Sequence, residues 1–545
     1  MKLPCPASLL IILSTIDYSG YKAKEKANLP KIGLLHPMRI FVGFAALLLL
    51  FPYSGHAKDI TEADLRAHIE ILASDDFGGR KPGTAGENKT VNYIATQWQK
   101  AGLHPATGSD SWYMPVALID RIPLRQMVKF SYPKRKQTAS IRVDNDQIVL
   151  RGAVQSVNLS NAQIVYVGYG NLPEEDMAPI IDGKLVFMLM GSSKRENISD
   201  YRRRKANVIA AGASGVITVI SDNSRFERSS RRFRRASTGL DWEKRHADVE
   251  GIVSRAVADK IFDKAGLDFT HLYLDAEQEG FRPQTIDIYA DVSVETLIRS
   301  YQSHNVLGKI AGSKPESGAI LFLAHWDHLG ECRSEHAADR ICNGAVDNAS
   351  GIALLIETAK RLAKEQMDRD LYFLATTAEE SGLLGASAFV ESSGFPLGHL
   401  VAVFNADTVA VSPTGKRIAV VGRGHAGLDE DIEKIAQAEG REIDTSDKAN
   451  AFLKRQDGYM FLEKDIPAYM ITSAFADQAH LNLFLNGRYH DVGDEADEGL
   501  LLGGAAADAN FHVALGRYFG SVDSFSEKSG PKIAIDRKLP DRVTE

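Results

Sequence analysis

The chain has 545 residues, of which 44% are hydrophobic, 25% charged and 8% aromatic, a composition that excludes collagen-like, coiled-coil and mostly disordered proteins. It carries 64 Lys plus Arg against 71 Asp plus Glu, and the net charge of −7 argues against a whole-protein role on nucleic acid, which requires a basic surface. A chain of this length is expected to form several units with a substantial core.

The first predicted element is a secretory signal at residues 38–57. Arg39 provides a basic start, an apolar run covers residues 40–51, and Ala57 is a small residue at the expected cleavage point. Residues 1–37 are an N-terminal extension, and Met38 is the expected translation start. The apolar run is shorter than the roughly 20 residues that span a bilayer, so we expect no stable membrane insertion after cleavage. The alternative is an uncleaved membrane anchor. The signal predicts export to the periplasm or the extracellular space.

Two units are predicted in the first half of the remaining chain. Residues 58–155 contain turns, an amphipathic helix around Trp98 and several short strands. Residues 156–290 alternate strands and helices and predict a separate, smaller, β-rich α/β unit. Inside that unit, residues 194–245 carry 14 Lys plus Arg and 6 Asp plus Glu, and we expect a solvated loop there.

Residues 291–522 alternate buried strands with helices. The strands are near-continuous apolar runs, GAILFLA, LYFLATT, HLVAVFNA and RIAVVG, of the kind that is buried on both faces of a sheet. Ser350 is expected to cap the helix between the first two runs. This alternation predicts the α/β class, with a mixed, mostly parallel sheet flanked by helices. Residues 523–545 are expected to be a polar, disordered tail.

Side chains of metal-binding types follow three of these strands or lie in the loops near them. Because functional groups of open α/β sheets gather beyond the carboxyl ends of the strands, we expect these side chains to converge. Two histidines, two aspartates and one glutamate suit two Zn²⁺ ions that share one carboxylate, and a second glutamate remains free to act as a base. The residues considered are His325, Asp327, His328, Asp347, Glu379, Glu380, Asp407 and His490.

This set, in this order, resembles the M28 family of zinc peptidases, which includes aminopeptidases and the glutamate carboxypeptidase group. The likeness is carried by the stretches AHWDHLG, NGAVDNASG, TTAEESGLLGASAFV, FNADTV, QDGYMFLEKDIPAYMI and RYHDVGDE, and by the opening region LASDDFGGRKPGTAGENKT. Residues 156–290 look like the protease-associated (PA) domain that many members carry as an insert. The resemblance implies a zinc exopeptidase fold, with a peptidase domain formed by residues 58–155 and 291–522.

The resemblance also implies a role for each ligand. His325 and Asp407 would hold one zinc ion, Glu380 and His490 the other, and Asp347 would bridge the two. Glu379 would be the general base and Tyr489 would hydrogen-bond the developing oxyanion, and the peptide bond after Asp347 would be cis. His328 and His336 are not expected to be ligands, because the set of five is already complete.

Further residues are expected to support this site. Asp327 is predicted to accept the free ring N–H of His325, and Asp494 is a weaker candidate for the same work on His490. Asp457 is placed in the substrate pocket, although Gln456 and Gly458 replace the serine and histidine that often flank it in the family.

Cys332 and Cys342 bracket the loop between the first ligand and the bridging aspartate. In an exported protein such a pair favours a local disulfide over a metal site, since the chain has no CxxC partner. A disulfide there would stiffen this loop.

The resemblance implies a secreted or periplasmic zinc aminopeptidase that acts on peptide substrates. Alternatives within the enzyme class are a glutamate-carboxypeptidase-like enzyme, another zinc amidohydrolase, or a glutaminyl cyclase on the same scaffold. A binding module that has lost the chemistry would show damaged ligands, and none is missing here. The motif GRGHAG from Gly422 to Gly427 lies between a predicted strand and helix and fits a dinucleotide-binding turn, a remote alternative.

Overall fold

The computed structural model describes residues 59–133, 139–191, 198–242 and 247–526. The predicted signal at 38–57 and most of the predicted tail at 523–545 lie outside these residues. The strands, in chain order, are β1 His104–Pro105, β2 Tyr113–Tyr132, β3 Ala139–Arg142, β4 Ile148–Gly152, β5 Ser156–Tyr166, β6 Leu185–Leu189, β7 Gly215–Ile220, β8 Ser237–Leu240, β9 Val249–Ser254, β10 Gln284–Ile310, β11 Ala319–His325, β12 Gly330–Glu331, β13 Ile341–Cys342, β14 Asp370–Thr376, β15 Leu400–Asn405, β16 Arg417–Val421, β17 Glu442–Ile443 and β18 Ala468–Thr472.

The α-helices surround this sheet. In chain order they are α1 Glu62–Leu72, α2 Ala85–Ala101, α3 Glu174–Ile181, α4 Ile198–Ala210, α5 Asn223–Phe233, α6 Arg255–Asp263, α7 Phe269–Asp275, α8 Ser350–Leu362, α9 Leu384–Ser392, α10 Asp429–Ala438, α11 Gly458–Leu462, α12 Gln478–Gly487 and α13 Gly503–Gly520.

The strands nearest the predicted site form the parallel part of the sheet, in the order β18-β15-β11-β14. β16 and β10 flank it as antiparallel neighbours of β18 and β14. Every residue of β11 is buried, because α8 and α13 pack against this strand. The ring centroid of Phe322 lies 5.3 Å from that of Phe373, on which it stacks, and 5.6 Å from that of Phe404. Aromatic packing therefore connects the three central strands β11, β14 and β15. The predicted fold class, a mixed and mostly parallel sheet with flanking helices, is confirmed.

A second group of buried residues fills the region of the predicted insert. It starts at Val128 and ends at Val294, and it packs between the parallel strands β5, β6, β7 and β9 and the helices α6 and α7. Strand β10 joins the two regions, because its first part pairs with β5 and its last part with β14. The assignment of residues 156–290 to a PA domain stays a prediction.

Several local predictions were wrong. Residues 113–132 form one 20-residue strand, β2, that pairs along β10; Pro115 and Pro123 hid its continuity, since proline usually ends a strand. The Arg-rich stretch is no loop in its described part, because it contains α4, β7 and α5. Phe525, assigned to the tail, packs on Phe519 at 4.9 Å. Ser350 is the first residue of α8 rather than its cap, and its hydroxyl donates to the carbonyl of Val346 at 2.6 Å.

Candidate metal centre

The predicted ligands lie at the carboxyl edge of the parallel strands. His325 is the last residue of β11 and pairs in register with Thr376, the last residue of β14. Glu379 and Glu380 follow Thr376 by one short turn, and Asp407 follows the end of β15 by two residues. Strand register therefore brings residues from three separate parts of the chain to one place, as parallel sheets do.

Asp347 lies at the middle of two sets of donors. Its Oδ1 atom is 3.3 Å from Nε2 of His325, which is also 3.6 Å from Oδ1 of Asp407. Its Oδ2 atom is 3.3 Å from Nε2 of His490, which is 2.8 Å from Oε2 of Glu380. Each carboxylate oxygen of Asp347 thus faces a different histidine–carboxylate pair. The structure brings all five predicted ligands together, and the ligand roles themselves stay predictions.

The loop that carries Asp347 is held by hydrogen bonds from several directions. The Asp347–Asn348 peptide bond is cis. Asn348 donates from Nδ2 to the carbonyl of Ala406 at 3.0 Å and accepts at Oδ1 from the amide of Gly351 at 2.9 Å. These bonds connect the loop to α8 and to the end of β15. Asn348 was not singled out from the sequence, because an asparagine beside an aspartate carries no distinguishing pattern.

Asp494 supports the same loop and does not contact His490 as predicted. Its carboxylate accepts the amide N–H groups of Val346 at 2.9 Å and Asp347 at 3.0 Å. Burial raises the pKa of Asp494 to about 6, although these two hydrogen bonds oppose the rise. Asp494 therefore positions Asp347 rather than His490.

Arg80 is a component of the site that the sequence reasoning missed. Its side chain is fully buried, and its guanidinium donates to the carbonyl oxygens of Trp326 at 2.9 Å, Asn343 at 2.6 Å and Gly344 at 2.8 Å, and to that of Leu72 at 2.8 Å. Burial lowers its pKa to about 10, and nearby carboxylates oppose that change. It therefore stays charged at neutral pH beneath the two ligand-bearing loops.

His328 also belongs to the cluster, although the sequence reasoning set it aside. Its Nδ1 atom is 2.6 Å from Oε1 of Glu380 and 4.0 Å from Oδ2 of Asp347, and the side chain is buried. With these two carboxylates it forms a second group able to hold a metal ion, beside the group of His325, Asp347 and Asp407. His336 is exposed and lies apart from both groups in the described chain.

The two remaining supporting aspartates differ in part from their predicted positions. The Nδ1 atom of His325 lies 3.2 Å from the backbone carbonyl of Asp327 and 3.7 Å from its carboxylate, which instead accepts the amide of Glu379 at 3.0 Å. Asp457 is 1% exposed and accepts the hydroxyl of Thr376, the last residue of β14. It is not among the described residues that line the small pocket beside Asp407 and Tyr489, and its assignment to the substrate pocket stays a prediction. Burial raises the pKa of Asp457 to about 7.

Glu379 and Tyr489 flank the donor sets. Oε2 of Glu379 is 3.9 Å from Nε2 of His325. Burial raises the pKa of Glu379 well above its usual value; the nearby His325 opposes this rise, and Asp407 adds to it. The ring of Tyr489 stacks on His490 with centroids 3.8 Å apart, and burial raises the pKa of its phenol, which stays protonated.

Cys332 and Cys342 form a disulfide with Cα atoms 5.8 Å apart, beside the short pair of strands β12 and β13. The disulfide closes the loop that precedes Asn343 and Gly344. The backbone carbonyls of these two residues accept hydrogen bonds from the Arg80 guanidinium.

Two glycine amides of the GRGHAG turn are already bonded to side chains of the protein. The amide of Gly422 donates to Oδ1 of Asn450 at 2.9 Å, and that of Gly424 donates to Oδ2 of Asp429 at 2.7 Å. The following helix, α10, has three acidic residues in its first turn. Because a pyrophosphate requires free N–H groups and a positive helix end, this turn is a poor phosphate site.

The donor chemistry at Asp347 fits zinc. Imidazole nitrogen and carboxylate oxygen are usual zinc ligands, and here they form two sets around one shared carboxylate. With the largely buried Glu379 beside them, these donors form the kind of site that a metal-dependent hydrolase requires.

Comparison with known proteins supports the resemblance to a peptidase family. Residues 305–507 match the model of peptidase family M28, and this stretch contains all five predicted ligands and both predicted catalytic residues. Over these residues the chain is similar to peptidase family M28, and the resemblance recognised in the sequence is confirmed.

The curated relatives are vacuolar membrane proteases. That of Lachancea thermotolerans is 38% identical over 111 residues, which are 20% of this chain and 10% of that protein. That of Kluyveromyces lactis is 32% identical over 114 residues, 21% of this chain and 11% of that protein. The chain therefore aligns with about a tenth of the length of these relatives.

Among solved structures, an aminopeptidase from Aneurinibacillus sp. strain AM-1 is 19% identical, with a TM-score of 0.49, and the match covers 84% of this chain and 94% of that one. The zinc aminopeptidase BSAP from Bacillus subtilis is 17% identical with a TM-score of 0.43, over 84% of this chain and 95% of that one.

The predicted location requires correction. The signal at 38–57 that predicted export lies outside the described residues. The curated relatives are named vacuolar membrane proteases, and this name contradicts the predicted periplasmic or extracellular location. In the described ranges, no helix has the length and apolar content needed to cross a bilayer.

Proposed function

We propose that this chain is a zinc-dependent aminopeptidase that holds two zinc ions and releases N-terminal residues from peptide substrates. The proposal rests on the position of the Asp347 carboxylate. One of its oxygens lies 3.3 Å from Nε2 of His325, and the other lies 3.3 Å from Nε2 of His490. A carboxylate shared in this way is the usual bridge between two metal ions.

In this proposal the residues of the chain divide the work. His325 and Asp407 would hold one zinc ion, Glu380 and His490 would hold the other, and Asp347 would contribute to both. Zinc bound there supplies Lewis acidity for the scissile carbonyl and lowers the pKa of nearby water.

Glu379 moves the proton. Burial raises its pKa, so its carboxylate is a stronger base than that of an exposed glutamate and can accept a proton and return it to the leaving amine. The phenol of Tyr489 remains protonated, so it is a hydrogen-bond donor for negative charge on the substrate oxygen.

The test compares Glu379→Gln with Glu391→Gln, an exposed glutamate on helix α9. Both variants should bind two equivalents of zinc by elemental analysis. Glu379→Gln should lose turnover of aminoacyl 4-nitroanilides by a factor of at least about 100, the range of general acid–base catalysis, while Glu391→Gln retains it. Retained turnover in Glu379→Gln would refute its role as the base.

A second comparison tests the aminopeptidase mode. Substrates with a free N-terminal amine should be hydrolysed, and the same substrates with an acetylated amine should not. Equal rates would contradict the proposal that the enzyme requires a free N-terminal amine. A stoichiometry of one zinc ion per wild-type chain would contradict a carboxylate shared between two ions.

A further inference from the structure

A small pocket opens directly beside the proposed metal centre. Asp407 and Tyr489 form one end of it. Its walls are apolar: Phe452 and Phe475 pack edge to face with ring centroids 4.7 Å apart, and Leu485 contributes to the same lining. A substrate group held next to the scissile bond can therefore extend a short apolar stem into this pocket.

Arg455 is the one basic residue of this lining. It ends the segment Asp447–Arg455, and its guanidinium lies 5.2 Å from the centre of the Phe452 ring. The side chain is exposed, and within the described part of the chain no ion pair joins it to a carboxylate. Its charge is thus available to a ligand.

The neighbouring polar side chain is already bonded within the protein. Oε1 of Gln456 accepts Nδ2 of Asn405 at 2.9 Å and the amide of Gly458 at 2.8 Å, and its Nε2 donates to the carbonyl of Leu453 at 3.3 Å. Gln456 therefore has little capacity left for a substrate, and the recognition of a polar group in the pocket falls to Arg455.

Resting on the proposed function, we propose that Arg455 determines specificity by selecting a substrate carboxylate at the end of a short apolar stem, as in an N-terminal glutamate residue. The methylene groups would pack against Phe475 and Leu485, and the carboxylate would pair with the planar guanidinium, which binds carboxylates in a bidentate manner. A lysine or arginine side chain would be repelled. A C-terminal residue with a free α-carboxylate offers the same chemistry from another source.

The experiment compares isosteric substrates in three proteins: the zinc-loaded wild type, Arg455→Met and Lys454→Met. Lys454 is the exposed neighbour of Arg455 and does not line the pocket, so it is the matched control. The wild type should favour glutamyl over glutaminyl 4-nitroanilide by about tenfold in kcat/KM, the value of one charge-assisted contact. Arg455→Met should remove this preference and Lys454→Met should keep it.

A binding measurement separates this inference from the proposed function. Calorimetric affinities of the Glu379→Gln variant for glutamyl and glutaminyl peptides report on the pocket without turnover, and adding Arg455→Met should equalise them. Equal affinities of the Glu379→Gln variant for the two peptides, or equal effects of Arg455→Met and Lys454→Met, would overturn the role of Arg455. Hydrolysis of N-acyl-glutamate substrates alone, with the same dependence on Arg455, would support carboxylate selection and refute the aminopeptidase mode.

Discussion

Replacing Arg80 by methionine tests how the metal-binding loops are held in place. Methionine retains most of the buried volume and removes all the donors. The carbonyls of Leu72, Trp326, Asn343 and Gly344 would then lose the guanidinium that they now bind.

The expected cost follows from those four bonds. A buried acceptor left without a partner costs at least about 1 kcal/mol, so the four together predict a loss of about 4 kcal/mol in the free energy of unfolding. Arg80→Lys retains the charge but has fewer donors and a different geometry, so an intermediate loss of about 2 kcal/mol is expected.

Two assays measure the effect. Denaturant unfolding of the zinc-free protein gives the stability, and competition with a chelator gives the zinc affinity, which should fall because the loops beside His325 and Asp347 lose their anchor. Arg66→Met is the control: Arg66 lies on α1 and its hydrogen bonds are long, 3.4 and 3.5 Å. A loss below about 1 kcal/mol in Arg80→Met, together with unchanged zinc affinity, would refute this reasoning.

Three further outcomes are expected. Removing zinc with a chelator should lower the melting temperature. Restoring zinc to a free concentration of 100 times its Kd should raise the free energy of unfolding by about 2.7 kcal/mol. An unchanged melting temperature would contradict a metal site. His328→Gln should weaken zinc binding at least about tenfold, as loss of a ligand-orienting contact does, and the exposed His336→Gln should not. Burial alone would raise the pKa of Glu357, but hydrogen bonds from a histidine on α1 and a lysine on α8 lower it. The pKa of Glu357 in the folded protein therefore lies below its value of about 4.3 in the unfolded chain. Ionised Glu357 stabilises the fold above that pH, and this stabilisation is lost as the pH falls through the folded-state pKa. Glu357→Gln should therefore be less stable than wild type at pH 7, and urea denaturation should show the difference shrinking in acid; a constant difference would contradict the lowered pKa.

The central strands and the ligand positions were accessible from the sequence for a physical reason. β11, β14 and β15 are buried on both faces, so they appear as uninterrupted apolar runs, and the first polar residues after them must lie at the sheet edge. The pattern contains no comparable signal for β2, where two prolines occur within one long strand.

The supporting residues were harder to predict because their partners are main-chain groups or depend on side-chain direction. Arg80 binds only carbonyl oxygens, which leave no trace in the sequence. Asp494 is predicted to support His490, which is close to it in sequence, but its carboxylate accepts amides of the loop at Asp347. Asp457 is predicted to lie in the substrate pocket from the family motif, but that motif does not show its hydrogen bond with Thr376. His328 was set aside by counting ligands, which says nothing about distance.

The balance of charge at the sheet edge explains why Arg80 binds carbonyls and not carboxylates. Buried or half-buried acidic side chains surround the site: Asp327, Asp347, Glu379, Glu380, Asp407, Asp457 and Asp494. So many carboxylates cannot stay ionised in a low-dielectric interior without cations nearby. A guanidinium paired directly with them would occupy the oxygens that metal ions require. By donating to the backbone beneath the loops, Arg80 contributes its charge to the cluster and leaves the oxygens of Asp347 facing the two histidines.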